Sequence, residues 1–108
     1  MPNRGSRVLK GGPSGYLRAS ATWPNGALRK DAPVAAYWAA EISRRLSAAL
    51  AGRSKKAVAE SVGMARTTLY DVLSGETWPD LVTIAALEEE LDVELWPRWA
   101  VGQTSNTA

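Results

Sequence analysis

Three glycines set the grain of this chain. Gly52, Gly63 and Gly75 interrupt a stretch whose apolar residues otherwise recur at three- and four-residue steps. A residue without Cβ weakens a helix interior and readily takes the positive φ that ends a helix. A chain cut this way packs several short helices rather than one long one. The first helix is predicted to start with Asp31 as cap and Pro33 in its first turn, and to end near Gly52. It carries Trp38, Ile42, Leu46, Ala49 and Leu50 on one face. Ser54 restarts a second as N-cap, running through Val62 until Gly63 stops it. A third spans residues 65–74 and stops at Gly75. Thr77-Trp78-Pro79-Asp80 is a break in which Asp80 caps a fourth helix at 81–91. That helix turns Leu81, Ile84, Ala85, Leu87 (or Glu88) and Leu91 inward, and Val93, Leu95, Trp96 and Trp99 close the domain.

Upstream the pattern changes. Residues 1–15 hold Gly5, Gly11, Gly12, Gly15, Pro2 and Pro13 with few apolar side chains. They offset little of the entropy of ordering and are expected to be mobile. In 16–30, Tyr16, Arg18, Ser20 and Thr22 alternate with Leu17, Ala19, Ala21 and Trp23 before Pro24-Asn25-Gly26. That alternation, with Asn-Gly as turn, predicts a β-hairpin needing a packing partner. The fold class is therefore mostly α, a compact bundle of four to five short helices with an N-terminal hairpin. Three regions follow: a basic arm at 1–30, a helical domain at 31–101 and a polar tail at 102–108.

Composition removes whole classes of chemistry. With 108 residues, 45% hydrophobic and 22% charged, the chain is sized for one ordinary globular core. It has no cysteine and no histidine, which takes away disulfides, thiolate metal sites and the usual general base. No enzyme, metal or cofactor is expected. The longest apolar run, 32–40, is far below the ~20 residues of a membrane span. The first residues lack the apolar stretch of a secretion signal, so a cytoplasmic protein is expected. Charge is lopsided. Arg4, Arg7, Lys10, Arg18, Arg29 and Lys30 stand in the first 30 residues without an acid, and the remainder holds seven bases and eleven acids. Either this arm meets something anionic, or it is a solvated tail.

The densest information lies in residues 55–74, KKAVAESVGMARTTLYDVLS. Two helices meeting steeply need a small side chain at closest approach, which is Ala59. The sharp turn between them needs positive φ, which Gly63 supplies. Val58, Val62, Leu69 and Val72 seat both helices on one core and so fix the angle between them. Residues 54–96 resemble the Xre and Cro/cI-repressor family of helix-turn-helix regulators. The resemblance rests on Ala59-x-x-x-Gly63, on the run from Leu69 to Gly75, on Pro79-Asp80-Leu81-x-Thr83-Ile84 and on Leu91-Asp92-Val93-x-Leu95-Trp96. The first 30 residues fall outside it. It implies a λ-repressor-like fold, double-stranded DNA as partner, transcription regulation and a homodimer.

On the third helix Arg66, Thr67, Tyr70 and Asp71 share the side opposite Leu69 and Val72, and the resemblance makes these the base-reading positions. Ser54, Lys55, Lys56 and Thr68 are placed for phosphates, aided by the positive end of the second helix. Two departures stand out. Lys55 and Lys56 replace the family's usual glutamine. Glu76 follows Gly75 where the family favours a cation, which puts that backbone contact in doubt. Other readings remain open beside these. Tyr70 can pack over the helix edge, and Glu88, Glu89 and Glu90 can be a solvated face or an acidic cluster. Trp78 reads as a lid over the core, and Trp96 and Trp99 as lids or a dimer contact. Glu76, Asp71 and the acidic body also suit a module for a protein partner, such as an antitoxin or an adaptor of the transcription machinery.

Overall fold

The computed structural model describes residues 11–97. Arg4, Arg7, Lys10, Trp99 and the tail at 102–108 lie outside them. Among these residues a 3-10 turn, Pro13–Tyr16, precedes four helices: α1 Val34–Leu50, α2 Lys55–Val62, α3 Arg66–Ser74 and α4 Leu81–Leu91. No strand forms among the described residues. The core joins Ile42, Leu46 and Leu50 of α1, Val58 and Ala59 of α2, and Leu69 and Val72 of α3. It is completed by Ile84, Leu87 and Leu91 of α4 and by Leu95. Each large side chain fully buried there stabilises the fold by about 1.5–3 kcal/mol. α1 packs on α3 and on the Pro13–Tyr16 turn, and α2 packs on both α3 and α4.

The helix ends follow local chemistry. Ser54 accepts the amide of Ala57 and Asp80 that of Thr83, so both cap as their side chains allow. Gly63 and Gly75 sit at φ of +79° and close α2 and α3 in left-handed caps. α1 differs from expectation: Pro33 occupies its N-cap position without a side-chain bond. Asp31, two residues before that cap position, instead pairs with Arg29 at 3.0 Å. In α4 the buried stripe is Ile84, Leu87 and Leu91, whereas Leu81, 68% exposed, and Ala85 face solvent. Ala85 is turned about 100° from Ile84, and Leu81 sits in the first turn beside an exposed cap. Val93 is also exposed, while Leu95 is buried and Trp96 packs half-buried against the core.

The hairpin at 16–30 does not form. Leu17 and Leu28 make one isolated antiparallel bridge. Around it the Arg18 amide donates to the Ala27 carbonyl at 2.9 Å and the Arg29 amide to the Tyr16 carbonyl at 2.8 Å. Beyond that the strands part. Ser20 takes φ +69°, and the Gly26 amide folds back onto the Thr22 carbonyl at 2.6 Å. The cause is long-range. The Trp23 indole donates to Ser43 Oγ at 3.0 Å and Arg44 donates to the Pro24 carbonyl at 2.9 Å, so α1 draws this stretch out of any ladder.

Residues 11–15 are likewise held rather than mobile. Pro13 is buried, the Ser14 amide donates to the Gly75 carbonyl at 2.9 Å, and the Gly11 carbonyl accepts from the Trp78 indole at 2.7 Å. The described part of the presumed arm is thus a lobe docked on α1 and the end of α3.

Candidate nucleic-acid interface

Helical periodicity splits α3 into two faces. Leu69 and Val72 are buried at 0% and 3% exposure. Arg66, Thr67, Tyr70 and Asp71 are all exposed. The four expected base-reading side chains therefore share one open face, on which Tyr70 is 47% exposed. Of the expected phosphate residues, Ser54 and Lys56 are exposed and Lys55 and Thr68 are half-buried. Ser54 Oγ is already engaged at 3.1 Å as the cap of α2, so it orients the helix end and has a lone pair and a proton left over.

Ion pairing sorts the cations into two groups. Arg29 is committed to Asp31, and Arg44 and Arg45 both reach Glu41 at 2.8 Å. Burial pushes the Glu41 carboxyl up, but the two guanidiniums outweigh it and hold it below its ordinary value. By contrast Arg53, Lys55, Lys56 and Arg66 have no ion pair among the described residues. They stand at the start of α2 or of α3, where unpaired backbone amides already make the end positive. Five of the acids, Glu88, Glu89, Glu90, Asp92 and Glu94, lie along the far end of α4 and just beyond it, whereas Glu60 is exposed on α2, Asp71 on α3 and Glu76 just after it, and Glu90 lines a depression with Arg53. Unpaired cations thus stand at the N-terminal ends of α2 and α3, two helices that pack on one another.

Several functional placements escaped sequence reading. Arg53 was not singled out, although a cation directly before an N-cap serine was a usable signal. It lines a shallow depression with Ser54, Ala57, Val58, Ser61 and Glu90. Ser43 is a buried polar link, accepting from Trp23 and donating to the Val72 carbonyl at 2.9 Å. Trp78 is not a lid over the core: it sits 6.3 Å from the Tyr16 ring and holds the Gly11 carbonyl. Nor is Glu88 part of a solvated acidic face. Its carboxylate accepts the amides of Leu95 and Trp96 at 2.7 and 3.1 Å and so ties the closing segment to α4. No group of three or more acids that could hold a metal ion assembles among the described residues.

Of the six arm cations, Arg18 and Lys30 are exposed. Arg29 is bound in place by Asp31, the Gly15 carbonyl at 2.8 Å and the Tyr16 ring at 5.4 Å. It staples the lobe rather than reaching outward. No helix among the described residues is long and apolar enough to cross a membrane.

Residues 44–95 match the family model described as helix-turn-helix. Neither the curated proteins nor the solved structures contain a significant match. The matched stretch begins in the second half of α1, contains the α2–Gly63–α3 pair and ends at the buried Leu95, leaving the docked lobe outside. With two short helices packed together across a glycine turn and an exposed face on α3, residues 44–95 are a helix-turn-helix domain of the Xre and Cro/cI-like family, a DNA-binding family.

Proposed function

We propose that this protein is a sequence-specific regulator of transcription that reads the major groove of duplex DNA with α3. The observation that carries this reading is that Arg53, Lys55, Lys56 and Arg66, at the starts of α2 and α3, have no ion pair among the described residues, while Arg66, Thr67, Tyr70 and Asp71 are exposed on α3. A polyanion is the natural partner for such cations, and an α-helix is the element a major groove admits. In this reading Arg66 bonds the two acceptors of a guanine, Asp71 accepts from a cytosine amino group and Thr67 touches a thymine methyl. Lys55, Lys56, Ser54 and Thr68 hold phosphates and fix register. One short recognition helix selects weakly, so a homodimer spans two half-sites about 34 Å apart.

Selection of bound fragments from a random duplex library tests the proposal. The recovered site should be a pseudo-palindrome. On it, Arg66→Ala should cost about 1–3 kcal/mol and relax preference at one base pair, and Lys55→Ala should weaken all sequences alike. Failure to enrich any sequence, with no salt-dependent binding, would point to the protein-partner reading that the exposed Asp71 and Glu76 favour.

A further inference from the structure

The depression beside the start of α2 is lined by two opposite charges that do not neutralise one another. Its floor is a stripe of α2 and its cap: Ser54, Ala57, Val58 and Ser61 recur at three- and four-residue steps and so share one side of the helix. Arg53, in the turn between α1 and α2, and Glu90, on α4, complete the lining. Because α2 and α4 pack on one another, the two charged side chains come to this floor from different elements. Neither forms an ion pair among the described residues.

Size and surface chemistry narrow what fits. The space measures about 380 Å³, at the small end of the range for small-molecule sites, roughly 300–1,000 Å³. From Ser54 to Ser61 the helix rises about 10.5 Å. Val58, 6% exposed, gives the floor an apolar base, and a hydroxyl stands at each end of the stripe. Ser54 keeps a lone pair and a proton after capping α2, and the Ser61 hydroxyl makes no hydrogen bond among the described residues. A ligand that is only an anion meets Glu90, and one that is only a cation meets Arg53. A molecule carrying both charges finds attraction where each of those finds repulsion.

We infer that this depression binds a small zwitterion bearing a carboxylate and an ammonium group, the carboxylate on Arg53 and the ammonium on Glu90, and that its occupant opposes duplex binding. Opposition to the duplex rests on the DNA-binding reading above. Arg53 stands among the unpaired cations and Ser54 among the phosphate contacts, so an occupant withdraws both from the DNA backbone. Such coupling is reciprocal: the duplex lowers affinity for the zwitterion by the same factor.

Amide NMR titration of the full chain tests the site. The probes are glycine, β-alanine, 4-aminobutanoate and 6-aminohexanoate, whose charges stand progressively farther apart, with acetate and methylammonium as single-charge controls. At least one zwitterion should give saturable shifts centred on 53–61 and 90, and neither control should. Arg53→Gln and Glu90→Gln should each weaken that binding by up to about fivefold, the factor an exposed ion pair carries. Arg53→Glu combined with Glu90→Arg keeps both charges in exchanged places and should restore it. Fluorescence anisotropy with a labelled random-sequence duplex at fixed salt then reads the antagonism. The best zwitterion should lower duplex affinity in the natural chain and lower it less in Glu90→Gln, whose affinity without zwitterion should be at least that of the natural chain. Shifts that never saturate, that acetate reproduces, or that both single variants leave unchanged overturn the site. Saturable binding with no change in duplex affinity overturns the antagonism. A full chain that binds the zwitterion and no duplex upholds the site, and the antagonism falls together with the DNA-binding reading.

Discussion

Gly63 and Gly75 offer a matched pair for weighing what the docked lobe contributes. Both sit at φ +79°, yet a Cβ added at Gly63 meets nothing within 4 Å, whereas at Gly75 it comes within 2.7 Å of Trp23 Cδ2 and 2.8 Å of Ser14 Cβ. Gly63→Ala therefore carries only the left-handed cost of an L residue, roughly 1–2 kcal/mol. Gly75→Ala carries the same cost plus overpacking against the lobe, about 1–3 kcal/mol, for a total of about 2–5 kcal/mol. Urea unfolding followed by far-UV circular dichroism reads both, and the midpoints should separate clearly. Trp23→Ala removes the ring that Gly75→Ala strikes, so the penalty at 75 should fall toward that at 63 in this background. Equal costs for the two glycine variants in the natural chain would refute the argument, because they would mean that the lobe yields without loss.

Two further predictions follow from helix caps. The Asp80 carboxyl is held below its ordinary value by the Thr83 backbone amide and then by the Thr83 hydroxyl. Its stabilising contribution is complete above the unfolded carboxylate value, about 3.9, and is lost as pH falls through the lower folded value. Melting temperature against pH should therefore fall more gently below pH 4 in Asp80→Asn, and superimposable acid limbs would show that the cap carries no charge dependence. At Ser54 the cap and the phosphate contact can be parted: Ser54→Ala should lower stability by about 1 kcal/mol. Ser54→Asp should keep the cap while weakening duplex binding by charge repulsion, and unchanged binding would remove Ser54 from the phosphate set.

The helix-turn-helix was legible because its causes are local. Ser54 and Asp80 cap where their side chains reach the next turn, and Gly63 and Gly75 end helices through their own backbone freedom. The exposed set on α3 follows from the placement of Leu69 and Val72 alone. The lobe was not legible, because its bonds join residues far apart: Trp23 to Ser43, Arg44 to Pro24, Trp78 to Gly11. Alternation at 16–23 and an Asn-Gly turn fit a hairpin by every local rule, yet Ser43 on α1, twenty residues away in sequence, takes the Trp23 indole as its donor. Leu81 and Ala85 escaped for a lesser reason: a stripe read by spacing does not tell where neighbouring helices stop covering it.

The polarity of α3 explains why the lobe and the reading helix belong to one device. Carbonyls at a helix C-terminus lack intrahelical partners, and here they are taken up. The Val72 carbonyl accepts from Ser43, the Asp71 carbonyl from the amides of Glu76 and Thr77, and the Gly75 carbonyl from Ser14. At the opposite end Ala65 supplies no side-chain cap, and Arg66 and Thr67 stand exposed beside it. One end of the rod is clamped by α1 and the lobe, and the other keeps its positive end open to an anion. A probe fixed at its rear loses little freedom when its tip engages a ligand, so less ordering entropy opposes binding. Loosening the clamp should then weaken duplex binding even though Ser14, Trp23 and Ser43 lie outside α3 altogether. Ser43→Ala, which severs the Trp23–Ser43–Val72 link without touching that face, is the direct way to measure it. Affinity for the selected duplex should drop, and affinity equal to that of the natural chain would mean that α3 is held without the lobe.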